Sequence, residues 1–170
     1  MHKRLPLLFA AALAASIFST LGATTARAQS MSTVAATATV TSECNITATP
    51  MAFGVYDPVV AHDTADLDST ATISISCTKG TAAWVALGPG LNPSGTTRRM
   101  ISNLGDYLTY ELHQDTARTF VWNEELTSLL TLGPALSMAP RNLVVYGRVF
   151  GNQDVRAGAY TDSVLATVNF

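Results

Sequence analysis

The side chains that could carry out catalysis are few in this sequence, and none stands in a catalytic pattern. After the first 28 residues the only imidazoles are His62, in a polar segment, and His113, at the end of an alternating segment. Neither histidine fits the order of a Ser-His-Asp triad or the spacing of a metal site. Glu124 and Glu125 are adjacent, so on a strand their carboxylates would point to opposite faces. The sequence therefore predicts a protein that is not an enzyme and that has no catalytic residues, metal or cofactor.

An acidic segment after His62 is the one place where a metal ligand set could form. It contains Asp63, Asp66 and Asp68, and carboxylate oxygens are ligands that calcium prefers. However, the spacing matches no EF-hand loop, and no glycine stands where that loop must turn. We therefore expect a solvated acidic loop here.

Two tryptophans, Trp84 and Trp122, are the residues that could stack on a sugar in a lectin. Each lies within an apolar segment with a strand-like pattern. A large aromatic ring in such a segment more often packs in the core. We predict a core position for both.

The first 28 residues have the layout of a secretory signal peptide. A cationic segment, residues 2–4, precedes an apolar run from Leu5 to Ala23, and Ala26-Arg27-Ala28 offers an A-x-A cleavage site. A transmembrane anchor is the alternative, but the run is rich in Ala and Ser, and its most apolar part is short of a full bilayer span. The sequence predicts cleavage after Ala28 and contact with a membrane only during export.

Removing these residues leaves 142 residues with 7 basic and 12 acidic side chains, because Lys3, Arg4 and Arg27 are lost. The net charge changes from −2 to −5. An acidic chain with few lysines argues against binding to nucleic acid or to an anionic membrane surface. The remaining length is that of one domain.

Cys44 and Cys77 are the two cysteines of the sequence. Export places them in an environment where thiols oxidise, and an even count allows one intramolecular pair. Free thiols or a metal pair are the alternatives. We predict a disulfide between them.

The end of the chain has the clearest strand pattern. From Tyr160 onward, Val164, Ala166, Val168 and Phe170 share one parity, and polar residues fill most of the positions between them. This alternation is typical of a half-buried strand. Nothing follows in the sequence to form a hairpin with it. We expect either an earlier strand beside it or an open edge, which proteins normally avoid.

A second alternating segment runs over residues 33–49. Its apolar positions are small and share one parity: Val34, Ala36, Ala38 and Val40. The segment is too long for one ordinary strand of about 5–6 residues. We divide it at residue 40: residues 29–40 form a detachable extension, and residues 41–49 form the first strand of a domain that spans residues 41–170. One long strand crossing two sheets and a floppy N-terminus are the alternatives.

The middle of the sequence supplies more strand patterns with turn residues between them. Residues 71–77 and 82–87 are joined by a short link, which predicts a hairpin. Further strands are predicted at 98–100, 107–113 and 143–150. Leucines between 126 and 138 fit either a loop or a short helical turn. Seven or eight short strands predict an all-β sandwich.

Short motifs spread over the mature chain carry a resemblance to a known family. They are Phe53-Gly54-Val55-Tyr56-Asp57-Pro58, Ile73 to Thr78, Arg99-Met100, Tyr107 to Trp122, Tyr146 to Val149, and Ala157 to Val164. In this order they resemble the spore coat protein U family, which includes the secreted pilins of archaic chaperone–usher systems. One departure, Asn123 to Glu125 in place of a Gly/Asp turn, concerns the shape of one loop.

The resemblance implies an incomplete immunoglobulin-like β-sandwich that is completed by a donor strand from a neighbouring subunit. The donor strand is then residues 29–40, whose inserted side chains are Val34, Ala36, Ala38 and Val40. The final strand faces the donor or a chaperone through Tyr160, Val164, Ala166, Val168 and Phe170. The register stays open, because a slip of two residues preserves the pattern.

The implied function is that of a structural subunit of a secreted fibre, an archaic chaperone–usher pilus, in surface adhesion and biofilm formation. Its partners would be neighbouring subunits of the same or a related chain, a periplasmic chaperone and an outer-membrane usher. It would pass through the periplasm and end in a cell-surface fibre or coat. A spore or cell-surface coat protein that needs no usher is the alternative, and a secreted lectin or hydrolase is the third hypothesis.

Overall fold

The computed structural model describes residues 27–170. The chain divides into two units, Met1–Ala38 and Thr39–Phe170. In the first unit the described residues, 27–38, have no helix or strand and are exposed. The predicted signal peptide, residues 1–28, lies almost entirely outside the described residues. None of the helical structure within the described range is long and apolar enough to cross a membrane.

The second unit is a two-sheet β-sandwich. Its strands are β1 (Cys44–Ala48), β2 (Leu67–Cys77), β3 (Ala83–Leu87), β4 (Arg98–Ser102), β5 (Tyr107–His113), β6 (Leu130–Leu132), β7 (Arg141–Val149), β8 (Tyr160–Thr161) and β9 (Ala166–Asn169). One sheet has the order β1-β2-β7-β5-β4-β8, and the other has the order β6-β3-β9. All the pairings are antiparallel. The predicted all-β sandwich is confirmed.

The core lies between the two sheets and follows the alternation of the strands. Ile73, Ile75 and Cys77 point inward from β2, and Val85 and Leu87 point inward from β3; all five are buried. β-branched and aromatic residues at every second position fit a pleated surface that is covered on one face. The inner faces of the strands therefore meet as one apolar cluster.

The predicted hairpin of residues 71–77 and 82–87 is wrong. β2 pairs with β1 and β7 in the larger sheet, whereas β3 pairs with β6 and β9 in the smaller one. The link between them crosses from one sheet to the other. Both strands bury apolar residues on an inner face, so the sequence pattern of a hairpin and that of a sheet-to-sheet crossing are the same.

The predicted final strand is also divided between the sheets. Tyr160–Thr161 forms β8 beside β4, and Ala166–Asn169 forms β9 beside β3. The alternation of residues 160–170 continues through the crossing, which is why the sequence predicts one strand where the structure has two. The ambiguous segment after residue 126 contains a 3₁₀ turn, Leu126–Ser128, and then β6.

The two tryptophans differ in position. Trp122 is fully buried, and its indole N–H donates to the Val85 carbonyl oxygen at 2.9 Å. Trp84 is 37% exposed, because it occupies an outward-facing position of β3. The predicted core position is thus confirmed for Trp122 and wrong for Trp84.

The predicted disulfide is present between β1 and β2. Cys44 and Cys77 are register partners on these strands, and their Sγ atoms are bonded. The bond closes a loop of 33 residues, which on a chain-entropy estimate stabilises the fold by about 3–4 kcal/mol. We expect the exported protein to contain it. Alkylation of the denatured, unreduced protein should add no mass, whereas two alkylated thiols would contradict the pairing.

Candidate functional site: an open groove at a sheet edge

Strand β9 is hydrogen-bonded on one side only. Residues Trp84 to Leu87 of β3 pair with Ala166 to Asn169, and β9 ends the order of the smaller sheet. An edge strand offers a row of N–H and C=O groups to any extended chain that reaches it. The other edge of β9 lies beside β1 without a backbone hydrogen bond to it. Its free backbone groups are where an additional strand can be bonded.

A second unpaired segment, residues 50–56, follows β1. Within the described range its backbone forms no hydrogen bond with another backbone group. Side chains hold it instead: the Ser69 hydroxyl donates to the Ala52 carbonyl oxygen at 2.7 Å, and the Tyr56 hydroxyl accepts from the Gln153 N–H at 3.1 Å. This segment thus offers further free backbone groups.

A continuous apolar groove lies between this segment and the end of the chain. It consists of a cavity of about 340 Å³ and one of about 810 Å³. Both cavities are lined by Met51, Phe53, Met100 and Tyr160. The smaller cavity extends to Ala48 and Ala166, and the larger one extends to Val55 and Val155. We call this feature the edge groove, with its narrow end at Ala166 and its wide end at Val55.

The floor of the edge groove is the core itself. Ile73, Tyr110, Leu112 and Val145 line the smaller cavity, and each is at most 6% exposed. The groove thus gives access to the core of the sandwich. Apolar side chains that entered it would bury their surface against residues that are already packed.

The predicted final-strand residues are divided between the groove and its surroundings. Tyr160, Val164 and Ala166 line the edge groove. Val168 is partly buried against the core, while Phe170 is 56% exposed and does not line the groove. Residues of this parity thus line the groove up to Ala166 and contact the core up to Val168.

Asp162 holds the crossing between β8 and β9 in place. Its carboxylate accepts from the Leu91 N–H at 2.8 Å and from the Tyr110 hydroxyl at 2.7 Å. Burial and the neighbouring Asp162 raise the pKa of the Tyr110 phenol, so it stays protonated as the donor. Gly90 has φ +84°, and a Cβ there would lie 2.1 Å from the Asp162 carboxylate, so a larger residue would displace this contact.

A buried ion pair that the sequence analysis did not predict lies within the larger sheet, and its arginine also bonds to the smaller sheet. Arg98 of β4 is fully buried and is paired with Glu111 of β5. Its guanidinium also donates to the carbonyl oxygens of Leu87 and Gly88 at 2.9 Å and of Trp122 at 2.8 Å. Arg98 shares its parity with Met100, which lines the groove. This shared parity is the feature of the sequence that could have predicted an inward-facing side chain at Arg98.

The predicted donor residues lie outside any helix or strand. Val34, Ala36, Ala38 and Val40 are all exposed, Val34 to 91% and Val40 to 82%. As a strand that rises roughly 3.3 Å per residue, residues 34–40 would span about 20 Å.

The two histidines and the carboxylates of the acidic segment, residues 63–68, lie apart from the groove floor. His62 stacks on Tyr56, and its Nδ1 accepts from the Asp57 N–H at 3.0 Å. His113 is buried, and desolvation lowers its pKa. Asp66 and Asp68 form ion pairs with Arg148. Within residues 27–170 no group of three or more His, Cys, Asp or Glu is placed to hold a metal ion.

Comparison with known proteins gives a consistent result. Residues 30–167 match the model of the family described as Spore Coat Protein U domain. Over 128 residues the chain is 41% identical to Protein U of Myxococcus xanthus. The aligned region covers 69% of this chain and 70% of that protein.

Two solved pilus structures are among those that match this chain. One is the pre-assembly complex of the CsuC chaperone with the CsuE tip adhesion subunit, from the archaic chaperone–usher Csu pili of Acinetobacter baumannii. The match has a TM-score of 0.57 and 24% identity, and it covers 78% of this chain but only 41% of that chain. The other is HdaB, the minor tip subunit of the E. coli Hda pilus, with a TM-score of 0.40, 20% identity, and coverage of 73% and 79%. The first match shows an immunoglobulin-like sandwich.

Proposed function

Because this chain belongs to the Spore Coat Protein U domain family, we propose that it is a structural subunit of a secreted fibre of the archaic chaperone–usher type. The subunits would polymerise by donor-strand exchange, each giving its residues 29–40 to the edge groove of a neighbour. The fibre would serve surface adhesion and biofilm formation. The observation that supports this most is the edge groove, which opens the core beside a strand that is paired on one side only.

Donor-strand exchange follows from the chemistry of the groove and of the extension. The groove offers free backbone groups on both sides and an apolar floor between them. The extension offers a backbone without pairing and small apolar side chains at alternate positions. Main-chain hydrogen bonds supply affinity in such a complex, and the alternate side chains supply specificity.

A chaperone and an usher complete the proposal. An open edge with an accessible core favours aggregation or degradation before a neighbour arrives. A periplasmic chaperone that fills the groove with its own strand would prevent this, and an usher would exchange it for the next subunit. The chaperone-bound pilus subunit among the solved structures gives a precedent for such a complex.

Deletion of residues 29–40 is the experiment that tests the proposal. The shortened chain retains the groove, so it should still be recovered as a soluble complex when a cognate chaperone is co-expressed. It should at most occupy one end of a fibre and should form no fibre by itself, because it has no strand to donate. Fibres of wild-type length from the deletion variant would overturn the proposal.

A coat protein that needs no usher is the second candidate, favoured by the description of the matching family. It would use the same strand donation but assemble without an outer-membrane pore. Removing the usher from the producing cell separates the two candidates. Surface fibres are lost in the first case, and surface material persists in the second.

A further inference from the structure

The donor extension is fastened to its own domain directly after its last predicted inserted side chain. The Thr78 hydroxyl donates to the Thr41 carbonyl oxygen and accepts from the Glu43 N–H, both at 3.1 Å. The Thr78 N–H also donates to the Glu43 carbonyl oxygen at 2.8 Å. Since Val40 immediately precedes Thr41, a strand inserted up to Val40 leaves no free linker. Two domains joined in this way must touch each other.

The part of the donor domain that must make this contact is exposed and partly apolar. Backbone hydrogen bonds from Gly80 to Ala135 and from Ala135 to Thr81 hold the loop after β6 beside Thr78. In that loop Leu136 is 89% exposed and Met138 is 79% exposed. Lys79 is exposed in the adjoining turn and forms no ion pair with a described residue. We call Lys79, Leu136 and Met138 the linker pole.

The wide end of the edge groove carries a surface of complementary character. Val55 and Val59 line the larger cavity and, with Val60, are exposed to 84%, 79% and 74%. The Asp57 carboxylate fixes this turn by accepting from the N–H groups of Val59 and Val60 at 3.0 and 3.1 Å. The exposed carboxylate of Asp63 lies on the same loop. The exposed carboxylate of Asp154 lies on the loop between β7 and β8, beside Val155 of the larger cavity. We call Val55, Val59, Val60, Asp63 and Asp154 the groove rim.

The direction of the donor strand decides which surfaces meet. The chain from Tyr160 to Ala166 runs from the wide end of the groove to its narrow end. Antiparallel pairing is the more frequent and slightly more stable arrangement. An antiparallel donor therefore leaves the groove at the wide end, and its domain begins beside the groove rim. A parallel donor would instead place its domain at the narrow end.

We propose that the linker pole of one copy of this chain docks against the groove rim of the next copy, a contact that rests on the proposed strand donation. Leu136 and Met138 cover the exposed valines, and Lys79 lies beside the acidic residues of the rim. The contact removes apolar surface from water at both poles. It also fixes the angle between neighbouring domains, because the connection between them has no slack.

Cysteine cross-linking between copies tests the docking. A chain with Val59→Cys and Leu136→Cys should form a ladder of disulfide-linked oligomers in assembled fibres. These positions lie at opposite poles of the domain, so a bond within one chain cannot produce the ladder. A chain with Ala38→Cys and Val164→Cys reports separately on strand insertion into the groove. The disulfide between Cys44 and Cys77 remains in both chains.

The two cross-links distinguish failure of the docking from failure of the proposed function. Both ladders are expected. A ladder from the 38/164 pair without one from the 59/136 pair overturns the docking and leaves donor-strand exchange standing. Absence of both ladders in chains that form fibres overturns donor-strand exchange and, with it, the docking.

Charge placed on the linker pole supplies an independent measurement. Adding Leu136→Asp and Met138→Asp to a chain that carries Val59→Cys and Lys79→Cys should lower the yield of the 59/79 cross-link about tenfold, because a carboxylate opposes burial against valines. Leu126→Asp is the matched control, since Leu126 is equally exposed, at 88%, and lies in a different loop. An equal yield from the charged and control chains would contradict the docking.

Discussion

Val40→Asp is expected to abolish fibre assembly while leaving the domain itself folded. Val40 is 82% exposed in the free chain, so a carboxylate there costs the isolated subunit little. In the neighbour's groove the same carboxylate would lie at the wide end, against apolar residues such as Leu67, Leu108 and Val149. Burying an unpaired charge costs several kcal/mol even after relaxation. Burial of the valine would have contributed about 1.5–3 kcal/mol in the opposite direction.

Thr39→Asp is the matched control for this change. It introduces the same charge one residue earlier, where the alternation points the side chain out of the groove. Fibre length by electron microscopy should fall to background for Val40→Asp and stay close to wild type for Thr39→Asp. Equal assembly by Val40→Asp and the wild type would contradict the inserted parity, and a reversed order of the two variants would shift the register by one residue.

Arg98→Met is expected to destabilise the domain by about 3–5 kcal/mol. The substitution leaves the largely buried carboxylate of Glu111 without its cation. It also removes the donors to the carbonyl oxygens of Leu87, Gly88 and Trp122. A buried acceptor that is left without a donor costs the folded state the full desolvation free energy of that group. Because Leu87 ends the strand that pairs with β9, the edge of the groove should loosen as well.

Two further variants distinguish the loss of the ion pair from the effect of replacing any arginine in β4. Arg99→Met removes a partly exposed guanidinium that lies 3.9 Å above the Tyr107 ring, so it should cost about 1 kcal/mol or less. Arg98→Met combined with Glu111→Leu should recover part of the stability lost by Arg98→Met, because no buried charge then remains unpaired. Urea unfolding measures all three. A double variant that is no more stable than Arg98→Met alone would contradict this account.

The alternation of residue types was sufficient to predict most of the fold. Residues 107–113 form β5 as predicted, because one face of a half-buried strand must be apolar. The same reasoning failed for residues 71–87 and 160–170. There the chain crosses from one sheet to the other without breaking its pattern. Alternation reports which face is buried and not which partner covers it.

The edge groove could be predicted only in outline. The parity of Tyr160, Val164 and Ala166 placed them toward an apolar face, and all three line the groove. The opposite side of the groove was not predicted, because residues 50–56 contain Gly54 at φ +87° and no regular strand. The contacts of Asp162 with Tyr110 and Leu91 join segments distant in sequence. Long-range hydrogen bonds of this kind leave no local pattern.

The most direct test of strand donation is a chain that can donate to itself. We would delete residues 29–40 and append the same segment after Phe170 through a short turn. The appended segment returns along β9 in the antiparallel direction, so it can fill the groove of its own domain. The control carries Asp at the appended copies of Ala36 and Ala38. Thermal unfolding of these monomers is the measurement. If the segment completes the sandwich, the appended chain should unfold at a markedly higher temperature than the deletion variant, and the control should not. Equal unfolding temperatures for all three chains would contradict the proposal that residues 29–40 complete this domain.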